Sequence, residues 1–180
     1  MKVGDHWTYR VLGGRLTGNE GVLEMRVTFV SATAIVTVST RGSDDREFDA
    51  TWTPEWNPVV SDDGAVVSIE RGGFLKFPMR VGDEWAARLE YKRPNVGSFH
   101  ALQEHQVRVV GWEEITVPAG KFRALKVQTK GTFTRLDILA PTGTETYTLW
   151  YVPEVKRMVK TLYEHRAGRR ETELVDFIVR

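Results

Sequence analysis

The sequence predicts an all-β domain: a strongly curved antiparallel sheet, half-barrel or barrel-like, built from two related halves, with a β-sandwich as the alternative. Three observations carry this. Alternating and β-branched segments recur along the whole chain. No segment keeps a 3.6-residue period over three turns. One short unit occurs twice.

The repeated unit is Met1-Lys2-Val3-Gly4-Asp5-His6-Trp7, which returns as Met79-Arg80-Val81-Gly82-Asp83-Glu84-Trp85. Glycine allows a backbone angle that other residues resist, and aspartate bonds nearby amides in a turn. Tryptophan then opens a strand and anchors it in the core. Val3, Gly4, Asp5, Trp7, Val81, Gly82, Asp83 and Trp85 are therefore read as structural, not ligand-binding, residues. A weaker echo links Thr51-Trp52-Thr53-Pro54-Glu55 with Trp150-Tyr151-Val152-Pro153-Glu154. The expected organisation is one domain over 1–180, duplicated as 1–78 and 79–180. The second copy follows Phe74-Leu75-Lys76-Phe77-Pro78, whereas the first starts the chain. Residues upstream of Met1, with an export signal among them, are the expectation.

Strands are expected around Tyr9 and Val11, at 22–30 and 33–40, and at 46–52, where Phe48, Ala50 and Trp52 share a face. Asp62-Asp63-Gly64 reads as a hairpin turn before 66–69. Ala87, Leu89 and Tyr91 share one face, as do His105, Val107 and Val109. Segments 122–129, 132–139, 144–151, 158–163 and 172–179 complete about eleven strands. A short helix at 83–87 or 100–105 is the only helical option. Val117-Pro118-Ala119-Gly120 and Ala140-Pro141-Thr142-Gly143 fit type I turns, and Ala167-Gly168 reads as a hairpin tip.

The 180 residues are 41% hydrophobic and 27% charged, with net charge +1 and no cysteine. That composition suits one globular domain and excludes disulfides and thiolate chemistry. Balanced charge gives no argument for nucleic acid, and no apolar run is long enough for a membrane helix. Nucleophile-elbow, phosphate-loop, dinucleotide and zinc-helix motifs are absent, and Gly13-Gly14 and Gly18 have the wrong spacing for a phosphate cradle. No catalytic residue, cofactor or metal is expected. His100, Glu104 and His105, with His165, have ligand chemistry for zinc, but on a strand His100 and His105 face opposite sides. Asp44-Asp45 and Asp62-Asp63 are too few for calcium. Glu113-Glu114 point to opposite faces. The basic zone of Lys156, Arg157, Lys160, Arg166, Arg169 and Arg170, interleaved with Trp150, Tyr151 and Tyr163, is balanced by Glu154, Glu164, Glu171 and Glu173. It reads as a solvated hairpin with cross-strand ion pairs.

Three segments carry a resemblance. They are Val81-Gly82-Asp83-Glu84-Trp85, then 114–127 with Pro118, Gly120 and Phe122, then Trp150-Tyr151-Val152-Pro153-Glu154-Val155-Lys156. Together they resemble uncharacterised exported β-rich bacterial domains, similar in type to the lipoprotein-carrier half-barrel. The resemblance covers 79–180 directly and 1–78 through the repeat. It implies a periplasmic or cell-envelope location and a lipid-like or apolar ligand in a concave sheet. The alternative is a structural or protein-interaction domain of the envelope. Members carry glycine where Lys156 stands, so a different turn is expected there.

Overall fold

The structure is a computed structural model that describes residues 1–13, 21–42, 44–93, 99–166 and 168–180, with the side chains of 44 and 45 outside the description. The readings on Gly14, Gly18, Asp44-Asp45 and Ala167 therefore lie outside the described residues.

The strands are β1 (His6–Leu12), β2 (Gly21–Val30), β3 (Ile35–Arg41), β4 (Asp44–Trp52), β5 (Pro58–Val60), β6 (Val66–Arg71), β7 (Glu84–Arg93), β8 (Phe99–Val117), β9 (Gly120–Arg135), β10 (Gly143–Val152), β11 (Arg157–His165) and β12 (Gly168–Ile178). Each pairs antiparallel with its chain neighbour, and β1 also pairs with β12, closing a barrel. The sandwich and open half-barrel alternatives give way to this closure, because a closed sheet leaves no free edge. Both helical options are strand, in β7 and β8. The expected break near Lys130-Gly131 is also strand: 122–129 and 132–135 merge into β9, which runs beside the long β8, while 136–139, expected as strand, lies in the connection to β10. Three residues, Pro58–Val60, form a strand that the sequence pattern did not reveal. Val117-Pro118-Ala119-Gly120 is a tight hairpin, whereas 140–143 is an open connection into β10.

An up-and-down order puts alternate connections at opposite ends of the barrel. One end, here the mouth, carries Gly13, Gly42, 61–65, 136–142 and Arg166 among the described residues. The closed end carries the termini and the remaining connections. There the two repeated units make the same turn. Gly4 (φ 88) and Gly82 (φ 92) are left-handed. The Lys2 and Arg80 amides donate to Asp5 and Asp83 at 2.9 and 2.8 Å. Gly4 donates to the Val27 carbonyl and Gly82 to the Val109 carbonyl, both at 2.9 Å. A register shift follows each of these two valines.

Asp5 is fully buried. It also accepts from the Arg180 amide at 2.9 Å and faces the Lys156 ammonium at 3.3 Å. It thus ties both chain ends to the β10–β11 turn. Lys156 itself has φ 59, and Trp56 in the β4–β5 turn has φ 66. Lys156 therefore adopts a left-handed backbone, which glycine takes up freely.

The connection from Gly72 to Asp83 fills the barrel. Leu75 is buried, and its backbone is held by both amide atoms of Asn57, at 2.7 and 3.0 Å. Phe74 packs edge-on to His105, with ring centroids 5.1 Å apart. Trp85 donates to the Gly73 carbonyl at 2.7 Å. The β8–β9 tip bends back over the wall, where Ala119 donates to the Leu174 carbonyl at 3.0 Å. That contact covers β12 where its pairing with β11 has ended at Glu173. The outward Trp150 beneath it donates to Glu113.

Two expectations follow. A Cβ on Gly131 would lie 2.0 Å from the Glu104 carbonyl oxygen, whereas one on Gly111 meets nothing within 4 Å. Gly131→Ala should cost about 1–3 kcal/mol in urea unfolding or prevent folding, and Gly111→Ala about 0.5 kcal/mol or less. Burial alone would raise the Asp5 carboxyl, but the Lys2 and Arg180 amides and Lys156 outweigh it and hold it below its ordinary value. A depressed carboxyl stabilises the fold above its unfolded pKa of about 4 and loses that contribution as pH falls through the folded value. Urea midpoints measured from pH 6 to 3 should fall less steeply in Asp5→Asn than in the parent.

Candidate functional site

Alternation along β8, β9, β10 and β11 sends one residue in two into the barrel. In the closed-end half these are apolar: Val107, Val109, Val127 and Leu149 are all buried. Nearer the mouth the same faces present Gln103, His105, Thr129, Glu145, Tyr147 and Tyr163. This polar layer is the strongest chemical constellation among the described residues.

Glu145 is its centre and is 3% exposed. Its Oε1 accepts from Gln103 Nε2 at 2.7 Å and lies 2.9 Å from His105 Nε2. Its Oε2 accepts from the Tyr163 hydroxyl at 2.9 Å. Nδ1 of His105 lies 3.0 Å from the Thr129 hydroxyl. A carboxylate can only accept, so Nε2 donates to it, and a neutral ring then accepts from Thr129 at Nδ1. Gln103 Nε2 also reaches the Tyr147 hydroxyl at 3.3 Å, while its Oε1 is buried without a partner. Burial raises the Tyr147 and Tyr163 hydroxyls well above their ordinary value, and the Glu145 charge raises them further. Both therefore stay protonated: Tyr163 donates to Glu145, and Tyr147 accepts from Gln103.

Hydroxyl, imidazole and carboxylate in a row match the order of a nucleophile, a base and an orienting acid. The row is enclosed. Thr129 is 0% and His105 3% exposed, and Phe74 covers the ring. The arrangement satisfies donors in a low-dielectric interior, where an unpaired one is costly.

A second buried polar group lies at the closed end. Arg157 is 6% exposed, and its guanidinium carbon sits 4.0, 5.2 and 5.6 Å from the ring centroids of Trp56, Trp52 and Trp7. Burial lowers its pKa from the ordinary arginine value. Burial also pushes the neighbouring Tyr9 hydroxyl up to about 12, against the opposing Arg157 charge. Trp7 and Trp56 donate to the carbonyls of Val155 and Lys156 at 3.0 and 2.8 Å, locking the cage.

The sequence-derived candidates separate accordingly. His105 points inward, whereas His100 binds Glu90 at 2.6 Å and Glu104 pairs with Arg88 on the outer face. His165 stacks on Tyr163. No group of three His, Cys, Asp or Glu suited to a metal occurs among the described residues. Lys160 and Arg169 form cross-strand or near-neighbour pairs with Glu171 and Glu173. Arg157 is the correction: it belongs to the core, not to the solvated basic zone. Asp62-Asp63-Gly64 is a turn, with Asp63 accepting from the Ala65 amide at 3.1 Å. Glu113 serves Trp150 and Lys126 instead of a paired-carboxylate site. Glu145, Gln103 and Thr129 were missed; the available signal was a polar residue on the apolar face of an alternating strand.

Replacing Glu145 by leucine strands the donors of Gln103, His105 and Tyr163. The expected loss is about 3 kcal/mol or more in urea unfolding.

No protein-family model matches the chain, and no curated protein matches it. Solved structures do. A candidate lipoprotein from Parabacteroides distasonis matches with TM-score 0.62 and 16% identity, over 98% of this chain and 96% of that one. A candidate exported protein with a YmcC-like fold from Bacteroides fragilis matches with TM-score 0.56 and 16% identity, over 99% and 97%. The hypothetical lipoprotein YmcC from Escherichia coli matches with TM-score 0.55 and 8% identity, over 96% and 84%. The chain thus has the YmcC-like fold over almost its full length.

Proposed function

We propose that this chain is a non-catalytic, extracytoplasmic domain of the bacterial cell envelope that works through its outer surface rather than by carrying a cargo. The observation that carries this reading is the interior. Phe74 and Leu75 enter it from the β6–β7 connection, Arg157 and three tryptophans occupy its closed end beside buried aliphatic residues, and the layer nearer the mouth is polar. A lipid-like ligand in a concave sheet finds less support, since an apolar tail would displace packed side chains or lie against Glu145 and His105. The extracytoplasmic placement is supported by the fold shared with proteins described as exported or as lipoproteins. The reading also takes the barrel as two related units, 1–78 and 79–180, supported by the matching turns at Gly4 and Gly82.

The test is denaturing extraction of protein purified from a bacterial envelope fraction, followed by mass spectrometry. No stoichiometric apolar species should be released. A one-to-one lipid would replace this reading with the carrier.

A further inference from the structure

Isolated apolar residues on the outer wall, such as Phe29 and Trp112, need no explanation. The β9–β10 connection is different. Leu136, Ile138 and Leu139 are 48%, 51% and 109% exposed, all within four residues at the mouth. Leu139 is as open to solvent as in an extended chain.

The loop that presents them is braced. Arg135 forks onto both oxygens of Asp137, at 2.8 and 2.5 Å, and its guanidinium lies 4.6 Å over the Phe99 ring. The Leu136 amide donates to the His100 carbonyl at 2.8 Å, and the hydroxyls of Thr134 and Thr142 meet at 3.1 Å. The polar groups are thus satisfied within the protein, and the aliphatic ones are left outward.

Its neighbour in the ring of strands has one more arginine than glutamate at its tip, with Arg169 paired to Glu171. A Cβ on Gly143, at the end of the loop, would lie 2.5 Å from His165, so the β11–β12 tip stands directly beside it. That tip carries Arg166, Arg169 and Arg170 against Glu164 and Glu171. The acidic Asp62 and Asp63, farther round the mouth, are engaged by Arg41 and Arg93.

We propose that this mouth edge docks on an anionic phospholipid surface: Leu136, Ile138 and Leu139 enter the headgroup–acyl boundary, and the arginines beside them meet lipid phosphates. This rests on the surface-acting reading above and names its partner. Size and charge favour a bilayer over a protein. Three side chains fall far short of the about 800 Å² per partner of a stable protein interface. Aliphatic groups beside cations are instead the pattern of interfacial membrane binding.

The experiment is co-sedimentation of the full chain with phosphatidylglycerol-containing vesicles and with pure phosphatidylcholine vesicles, at low and high salt. Binding to the anionic vesicles only, weakened by salt, is expected. The Ile138→Asp/Leu139→Asp variant should bind at least tenfold more weakly with an unchanged circular dichroism spectrum. Ile138→Ser/Leu139→Ser should show a smaller loss, and Arg166→Glu/Arg169→Glu a loss confined to low salt. Phe29→Ser, on the outer wall near the closed end, should bind like the parent. Equal binding to both vesicle types, binding to neither, or equal losses in Phe29→Ser overturns the proposal. Absence of vesicle binding with an empty barrel would leave the surface reading standing and point to a protein partner. A bound lipid in the barrel would remove that reading whatever the vesicles do.

Discussion

A closed barrel of this many strands must fill its own interior, and the rest of the structure follows from that requirement. Barrels of about eight strands are filled by side chains or hold one small ligand, while those of about sixteen leave a channel. Twelve strands lie between, so ordinary aliphatic residues do not reach across. The chain meets the requirement twice: with its largest side chains at the closed end, and with a backbone segment, Gly72 to Asp83, that inserts Phe74 and Leu75. Each device brings polar groups inside that must be paired. Hence Asn57 clamps the Leu75 backbone, and Trp85 takes the Gly73 carbonyl.

The same requirement explains Arg157 and Glu145. A long planar cation fills the space between Trp7, Trp52 and Trp56 better than an aliphatic residue would. Its charge is met by ring faces instead of a carboxylate. Glu145 solves the complementary problem, since one carboxylate gathers three donors from two strands, β8 and β11. The two charges are opposite and lie on the interior faces of adjacent strands, β10 and β11. Neither is exposed for chemistry.

Local pattern made the strand-rich architecture legible, because alternation with Gly, Asp and Pro punctuation is a property of neighbouring residues. The turns at Gly4 and Gly82 were legible for the same reason. What escaped depends on distant partners. Gly131 resembles a strand break in sequence, yet it continues β9, because a residue without Cβ is what lets the Glu104 backbone and the His105 ring approach. Arg157 stands among surface cations in sequence, and only strand phase in the closed barrel turns it inward. Pro58–Val60 is too short to show a period, and its pairing with β4 and β6 is what makes it a strand.

On the proposed surface-acting reading, recognition falls on the wall, the closed end or the mouth. The wall is laced with ion pairs such as Arg88 with Glu70 and Glu104, which leave few groups unmet. The closed end is bound up in Asp5, which holds both termini and Lys156. At the mouth, a braced backbone carries three aliphatic side chains that gain nothing from the fold. Leu136, Ile138 and Leu139 contribute no core packing, and their loop is held by Arg135, Asp137 and His100 in their stead. A loop so ordered, with its aliphatic groups turned outward, separates stability from recognition within a few residues.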